Sequence, residues 1–161
     1  MWSKPIFNDK EDCYIFFLDT EGSWSLTKDV DNDTKIFTLA SLISSYFIYN
    51  SVGTIDEKSI NDLNLVTKLS MNILIEENVK NKDNEEMLHR FMPKFLWLLR
   101  DFTLELRDID GKKIEPRQYL EDALLDQNSL VRVSEDSRRV RRALINYFKD
   151  RDCFTLVRPV R

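Results

Sequence analysis

Four short runs rich in aromatic and branched residues punctuate this chain: Cys13 to Asp19, Ser45 to Asn50, Phe95 to Asp101 and Cys153 to Val157. Runs of that length, bounded by polar and turn-forming residues, predict buried strands. Between them the apolar period lengthens to that of a helix. Asp33 or Thr34 can cap a helix with Ile36, Leu39, Ala40 and Ile43 on its inner face, ending near Ser44. Asp56 caps a second, with Ile60, Leu63, Val66 and Ile73 inward, which fades into a polar stretch from Glu76 to Glu86 that reads as a solvated insertion. Pro116 suits the first turn of a third helix carrying Leu120, Ala123 and Leu124. Ser134 or Asp136 starts a fourth with Val140, Leu144, Tyr147 and Phe148 on one face. Parallel neighbours need a crossover, and the crossover is usually a helix. The alternation therefore predicts an α/β fold of three layers, with a mostly parallel sheet covered on both faces. The first eight residues, with Trp2 and Pro5, are expected to add an outer antiparallel strand turning through Asn8, Asp9 and Lys10.

Composition narrows the chemistry. At 161 residues one hydrophobic core suffices without a disulfide or metal staple. Cys13 and Cys153 are too few for a disulfide framework or a cysteine-rich zinc site, so a reducing, cytoplasmic setting is expected. His89 is the only histidine, which removes most zinc-hydrolase constellations. The three glycines, Gly22, Gly53 and Gly111, lie far apart, so neither G-x-x-x-x-G-K-[ST] nor G-x-G-x-x-G occurs. A net charge of −4 argues against general nucleic-acid binding, which needs a basic face. Residues from Ile36 to Ile55 carry no charge, but Ser41, Ser44, Ser45, Asn50, Ser51 and Gly53 interrupt them and the period changes midway, so a transmembrane segment is rejected.

Open α/β sheets bind ligands beyond the carboxyl ends of their strands, which singles out Asp19 and Asp101. Asp19-Thr20-Glu21-Gly22 is a D-x-x-G after a strand. There a carboxylate can hold a magnesium-bound water, and a glycine lets its N–H approach a terminal phosphate. Ordinary turn chemistry also explains the pattern. Trp97-Leu98-Leu99-Arg100-Asp101 delivers an Arg-Asp pair to a strand end. A carboxylate there can accept both the ring N–H and the exocyclic amine of guanine, whereas adenine presents an acceptor in place of the ring donor. The alternative is a simple strand-end ion pair.

Together with Asn32-Asp-Thr-Lys-Ile-Phe37, Ser44-Ser-Tyr-Phe-Ile-Tyr-Asn-Ser-Val-Gly-Thr-Ile55, Tyr119-Leu120 and Cys153-Phe-Thr-Leu-Val-Arg-Pro159, these segments resemble the guanylate-binding protein family of dynamin-like large GTPases, related to atlastins. The resemblance implies a P-loop GTPase-type fold, GTP or GDP as ligand, and Mg2+ held through water by Asp19. It places Asp19 and Gly22 in switch II, gives guanine recognition to Arg100 and Asp101, and sets Leu156 and Arg158 at the border of the guanine cap. Glu21 is expected to help position the attacking water. Ser23-Trp24-Ser25 departs from the Leu-Gly that follows the switch-II glycine in some relatives.

The family's P-loop, its lysine, its magnesium-binding Ser/Thr and the switch-I threonine have no counterpart here. Residues 1–161 are thus expected to be a partial GTPase domain, running from the end of the family's second strand to the guanine cap and lacking the P-loop strand and helix. Alone it should hydrolyse no GTP. The missing central strand would leave two apolar edges, which must pair directly, stay open or recruit another chain. The alternative is an inactive interaction module that pairs with full-length relatives, or with a second copy, through the nucleotide face. Elsewhere, Arg138, Arg139, Arg141 and Arg142 read as the solvated side of a helix, His89 and Asp29, Asp31 and Asp33 as surface or capping residues, and both cysteines as buried small apolar side chains.

Overall fold

The computed structural model describes residues 4–20, 30–64, 66, 92–125 and 134–159. The chain opens with an antiparallel hairpin of β1 (Ile6–Asn8) and β2 (Cys13–Ile15), joined by a turn in which Lys10 N–H donates to Asn8 Oδ1 at 3.1 Å. The expected outer antiparallel strand is therefore present. The run from Cys13 to Asp19 is a strand only over its first three residues. Phe16, Phe17 and Leu18 are exposed and join no ladder, because among the described residues no neighbouring strand lies alongside to pair with them.

α1 (Val30–Ile43) leads into β3 (Tyr46–Val52), and α2 (Glu57–Asp62) follows it. β4 (Lys94–Arg100), α3 (Pro116–Leu125), α4 (Glu135–Tyr147) and β5 (Arg151–Thr155) complete the described elements. β3, β4 and β5 form a parallel sheet in that order, Tyr46 opposite Lys94 and Phe95 opposite Arg151, so the α/β class read from the alternation holds. Local signals explain the helix starts. Asp56 accepts from Ser59 N–H at 2.7 Å while Ser59 Oγ accepts from Asp56 N–H at 2.8 Å, a reciprocal capping box. Pro116 opens α3, and Ser134 caps α4 by accepting from Ser137 N–H at 3.1 Å.

Strand alternation and register put Phe47, Tyr49, Phe95, Trp97, Leu99 and Cys153 on one face of the sheet. Against it pack Ile60, Leu63, Val66, Leu120, Leu124, Val140, Leu144 and Phe148 in a single core. Phe37, Phe47, Phe95 and Phe148 form an aromatic cluster with centroids 4.9–6.4 Å apart, which ties α1 and the end of α4 to the sheet. Trp97 is fully buried, and its Nε1–H donates to Ser51 Oγ at 2.9 Å on the adjoining strand, so the indole pays no desolvation penalty. On the opposite face Tyr46, Ile48, Val52 and Phe154 stand 44–60% exposed. Among the described residues β3 pairs only with β4. Of the outcomes open to the two apolar edges, direct pairing of β2 with β3 does not occur.

Five expectations are corrected. α1 begins at Val30 rather than after an Asp33 or Thr34 cap, and its buried residues are Phe37 and Ser41. Leu39 and Ile43 are about 60% exposed: the inward stripe is set by the contact of Phe37 with Phe47, and Leu39 and Ile43 point away from it. Arg141 is buried, not solvated, because its guanidinium crosses between two other helices. Cys13 is exposed on the hairpin, while Cys153 is buried as expected. Asp19 lies beyond the end of β2 rather than at a strand tip. The polar stretch from Glu76 to Glu86, Ile73, His89 and Asp29 lie outside the described residues.

Candidate functional site

Three chain segments leave the carboxyl end of the parallel sheet and are stitched together by backbone hydrogen bonds. Gly53 N–H donates to Arg100 O at 2.8 Å, Leu156 N–H to Leu99 O at 2.8 Å, and Phe102 N–H to Leu156 O at 2.9 Å. The turn after β3 and the segment after β5 thus grip the end of β4 from both sides. Gly53 has φ 87, in the left-handed region that glycine enters without strain, and a Cβ there would meet nothing within 4 Å. Its conformation, not its lack of bulk, is what the turn requires. The next loop is fixed in turn by Tyr119, whose hydroxyl accepts from Ile55 N–H at 3.2 Å.

Asp101 sits in the middle of this grip with φ 53. A left-handed conformation is costly for most side chains and better tolerated by Asp and Asn, and such residues concentrate at functional sites. Arg100, exposed at the last position of β4, donates from Nε to Asn50 Oδ1 at 2.7 Å. Neither Arg100 nor Asp101 takes part in an ion pair among the described residues, which removes the strand-end salt bridge as their explanation. Leu156 is held directly beside them by its two backbone bonds. Arg158 lines an adjoining open cleft of about 700 Å³ with Phe102, Leu104, Arg107, Thr155 and Val157. The geometry offers a carboxylate and a pinned cation at one strand end, beside an open cleft lined by both apolar and charged side chains.

Of the residues singled out from the sequence, Arg100, Asp101 and Leu156 are brought together, with Arg158 lining the neighbouring cleft. Asp19 is exposed in the segment after the hairpin, and no hydrogen bond links it to that group among the described residues. Glu21 and Gly22 lie outside the described residues. No group of three or more His, Cys, Asp or Glu suited to a metal occurs among the described residues. Mg2+ in phosphate sites takes one or two carboxylates and fills the rest of its shell with water and phosphate oxygens, so a lone exposed Asp19 fits such a role. Asn50 is the site residue that the sequence reading missed. Nothing in the one-dimensional pattern marks it, since a polar side chain on the exposed face of a strand is ordinary.

An α/β domain that presents an Arg-Asp pair at the end of a parallel strand defines a nucleotide-site candidate, and comparison with known proteins specifies the family. The family model described as guanylate-binding protein, N-terminal domain, matches residues 1–161. The chain is 37% identical over 162 residues to guanylate-binding protein 2 of Homo sapiens, covering 99% of this chain and 27% of that relative. It is 38% identical over 164 residues to guanylate-binding protein 3 of Mus musculus, covering 99% of this chain and 26% of that relative. Guanylate-binding protein 1 of Mus musculus is 37% identical, again over 99% of this chain and 27% of the relative. The chain belongs to the guanylate-binding protein family, and it spans about a quarter of the length of these curated relatives.

Proposed function

We propose that these residues form the guanine-recognising part of a GTP-hydrolysing domain of the guanylate-binding protein type. The observation that carries the reading is Asp101, held in a left-handed conformation between two backbone clamps with its carboxylate committed to no ion pair among the described residues. Such a carboxylate accepts the ring N–H and the amine of guanine together, and it faces an acceptor if adenine takes the same place. Arg100 lies beside the base, and Leu156 and Arg158 border it. Asp19 would hold Mg2+ through water, Gly22 would offer its N–H to the terminal phosphate, and Glu21 would orient the attacking water. Bound Mg2+ neutralises charge on the phosphate oxygens.

The sequence contains no P-loop motif, so the phosphate cradle and most transition-state stabilisation must come from polypeptide outside these 161 residues. The outer edge of β3, without a strand partner among the described residues, and the exposed apolar face beside it support this reading. Two free thiols suit a cytoplasmic setting.

The test is a titration of the chain with GDP and with ADP, followed by nuclear magnetic resonance at millimolar nucleotide. A preference for GDP that disappears in Asp101→Asn is expected, and equal shifts with both nucleotides would overturn the assignment. A parallel GTPase assay should show no turnover above background. Saturable, magnesium-dependent turnover by the chain alone would refute the dependence on an external P-loop.

A further inference from the structure

We propose that Asn50 is a positioning residue for base recognition. Its side-chain oxygen fixes the plane of the Arg100 guanidinium, so that a base held by Asp101 meets a preset cationic platform. The inference rests on the guanine reading above and extends it to a residue that makes no contact with the base itself.

The register places Val52 opposite Arg100 and Asn50 opposite Leu98, so Asn50 and Arg100 lie on the same face of neighbouring parallel strands, offset by one pleat. An arginine leaning back along its strand spans that offset, and Nε reaches Asn50 Oδ1 at 2.7 Å. Arginine has donors only, so the amide must turn its oxygen toward it. A bond at Nε fixes the guanidinium plane while leaving the two terminal nitrogens unengaged among the described residues. Planar guanidinium groups stack on aromatic rings and bases. The partner is also chemically apt: a neutral amide orients the cation without cancelling its charge, which a carboxylate would do. Asn50 is itself fixed in place, since its neighbour Ser51 is anchored by the buried Trp97 and the strand is fully paired with β4 from Tyr46 to Val52. Stacking on a cation tolerates any base, whereas the Asp101 carboxylate selects one, so the two residues divide affinity and selectivity between them.

The test compares the chain with Asn50→Leu, Asn50→Asp, Arg100→Ala and the Asn50→Leu/Arg100→Ala pair. In the ligand-free chain the Arg100 Nε–H resonance should exchange slowly with solvent, should be lost in Asn50→Leu and should be kept in Asn50→Asp. Asn50→Leu should weaken GDP binding about 3- to 10-fold, the range of one hydrogen bond, with an unchanged melting temperature and an unchanged ratio of GDP to ADP affinity. Asn50→Asp, which keeps the bond but offsets the charge, should recover only part of the binding lost in Asn50→Leu, and Asn50→Leu should cost nothing further in the Arg100→Ala background. Equal losses in both backgrounds, or GDP affinity indifferent to Asn50→Leu, would overturn the proposal while leaving guanine recognition standing. If the unsubstituted chain shows no preference for GDP over ADP, the guanine reading falls and takes this one with it.

Discussion

Asp101 combines a backbone and a side-chain demand that few residues meet together. Its φ of 53 costs most side chains about 1–2 kcal/mol, and glycine nothing. Asp101→Gly should therefore hold or raise stability by up to about 1 kcal/mol in urea unfolding, while guanine preference vanishes. Asp101→Asn tolerates the same conformation and keeps one acceptor oxygen, but it sets an amine donor against the donors of guanine. It should leave the urea midpoint unchanged and lower GDP affinity by about tenfold, near 1.4 kcal/mol. If Asp101→Gly unfolded the chain instead, the carboxylate would be serving the fold rather than a ligand. Arg100 and Asp101 were legible in the sequence because an apolar run delivers them to its own end, and position along a strand can be read from one dimension. Asn50 was not, because its partner lies 50 positions away and only strand register brings the two side chains together.

Arg141 shows the same limit among the helices. From α4 its Nε donates to Ala123 O at 3.0 Å, and its terminal nitrogens donate to Glu57, so one side chain ties α3 and α2 to α4. This pull holds the Glu57 carboxyl below its usual range, with burial opposing. In the sequence, Arg138, Arg139, Arg141 and Arg142 look alike, and only the assembled helices decide that Arg141 alone is 6% exposed. Caps were legible because Asp56, Pro116 and Ser134 act within one turn of chain. The inward face of α1 was not, because it is set by a contact with Phe47 on the next element. Arg141→Ala should cost about 2–3 kcal/mol, the value of charged hydrogen bonds lost at a site where water can still reach Glu57. Arg141→Lys should recover less than half, since an ammonium cannot serve both partners in the planar geometry of the guanidinium. Urea midpoints at pH 7 measure both, and a lysine variant as stable as the original would reduce the junction to a charge contact.

Across the whole molecule the buried titratable groups lean one way. Burial pushes the Cys153 thiol up to about 12, with the Asp152 charge adding to it. Burial also raises Tyr49, helped by Asp62 and Asp56, and raises Tyr119 against the opposing bond from Ile55. Unfolded, these groups ionise near their ordinary values of 9.0 and 10.0, so above pH 9 the unfolded state binds fewer protons and stability falls as pH rises. On the acid side, Glu57 loses stabilisation only as pH falls below 4.5 toward its lowered folded value, and the raised Asp62 acts in the opposite sense. Melting temperature against pH should therefore fall more steeply from pH 9 to 11 than from pH 5 to 4, and Cys153→Ala should flatten the alkaline limb. A symmetric profile would contradict this. The sheet adds a second property of the whole chain. Tyr46–Val52 carries no charge and its outer backbone edge has no partner among the described residues, so nothing in β3 opposes strand addition from another molecule. Sedimentation velocity should show association that grows with protein concentration. Ile48, 44% exposed on the open face, can be changed to lysine without entering the core, and Ile48→Lys should lower that association at least severalfold while shifting stability by no more than about 0.5 kcal/mol. The lysine places a like charge beside every incoming copy of the same edge. A chain that associates equally with and without it is joining through another surface, such as the exposed Leu39 and Ile43 of α1.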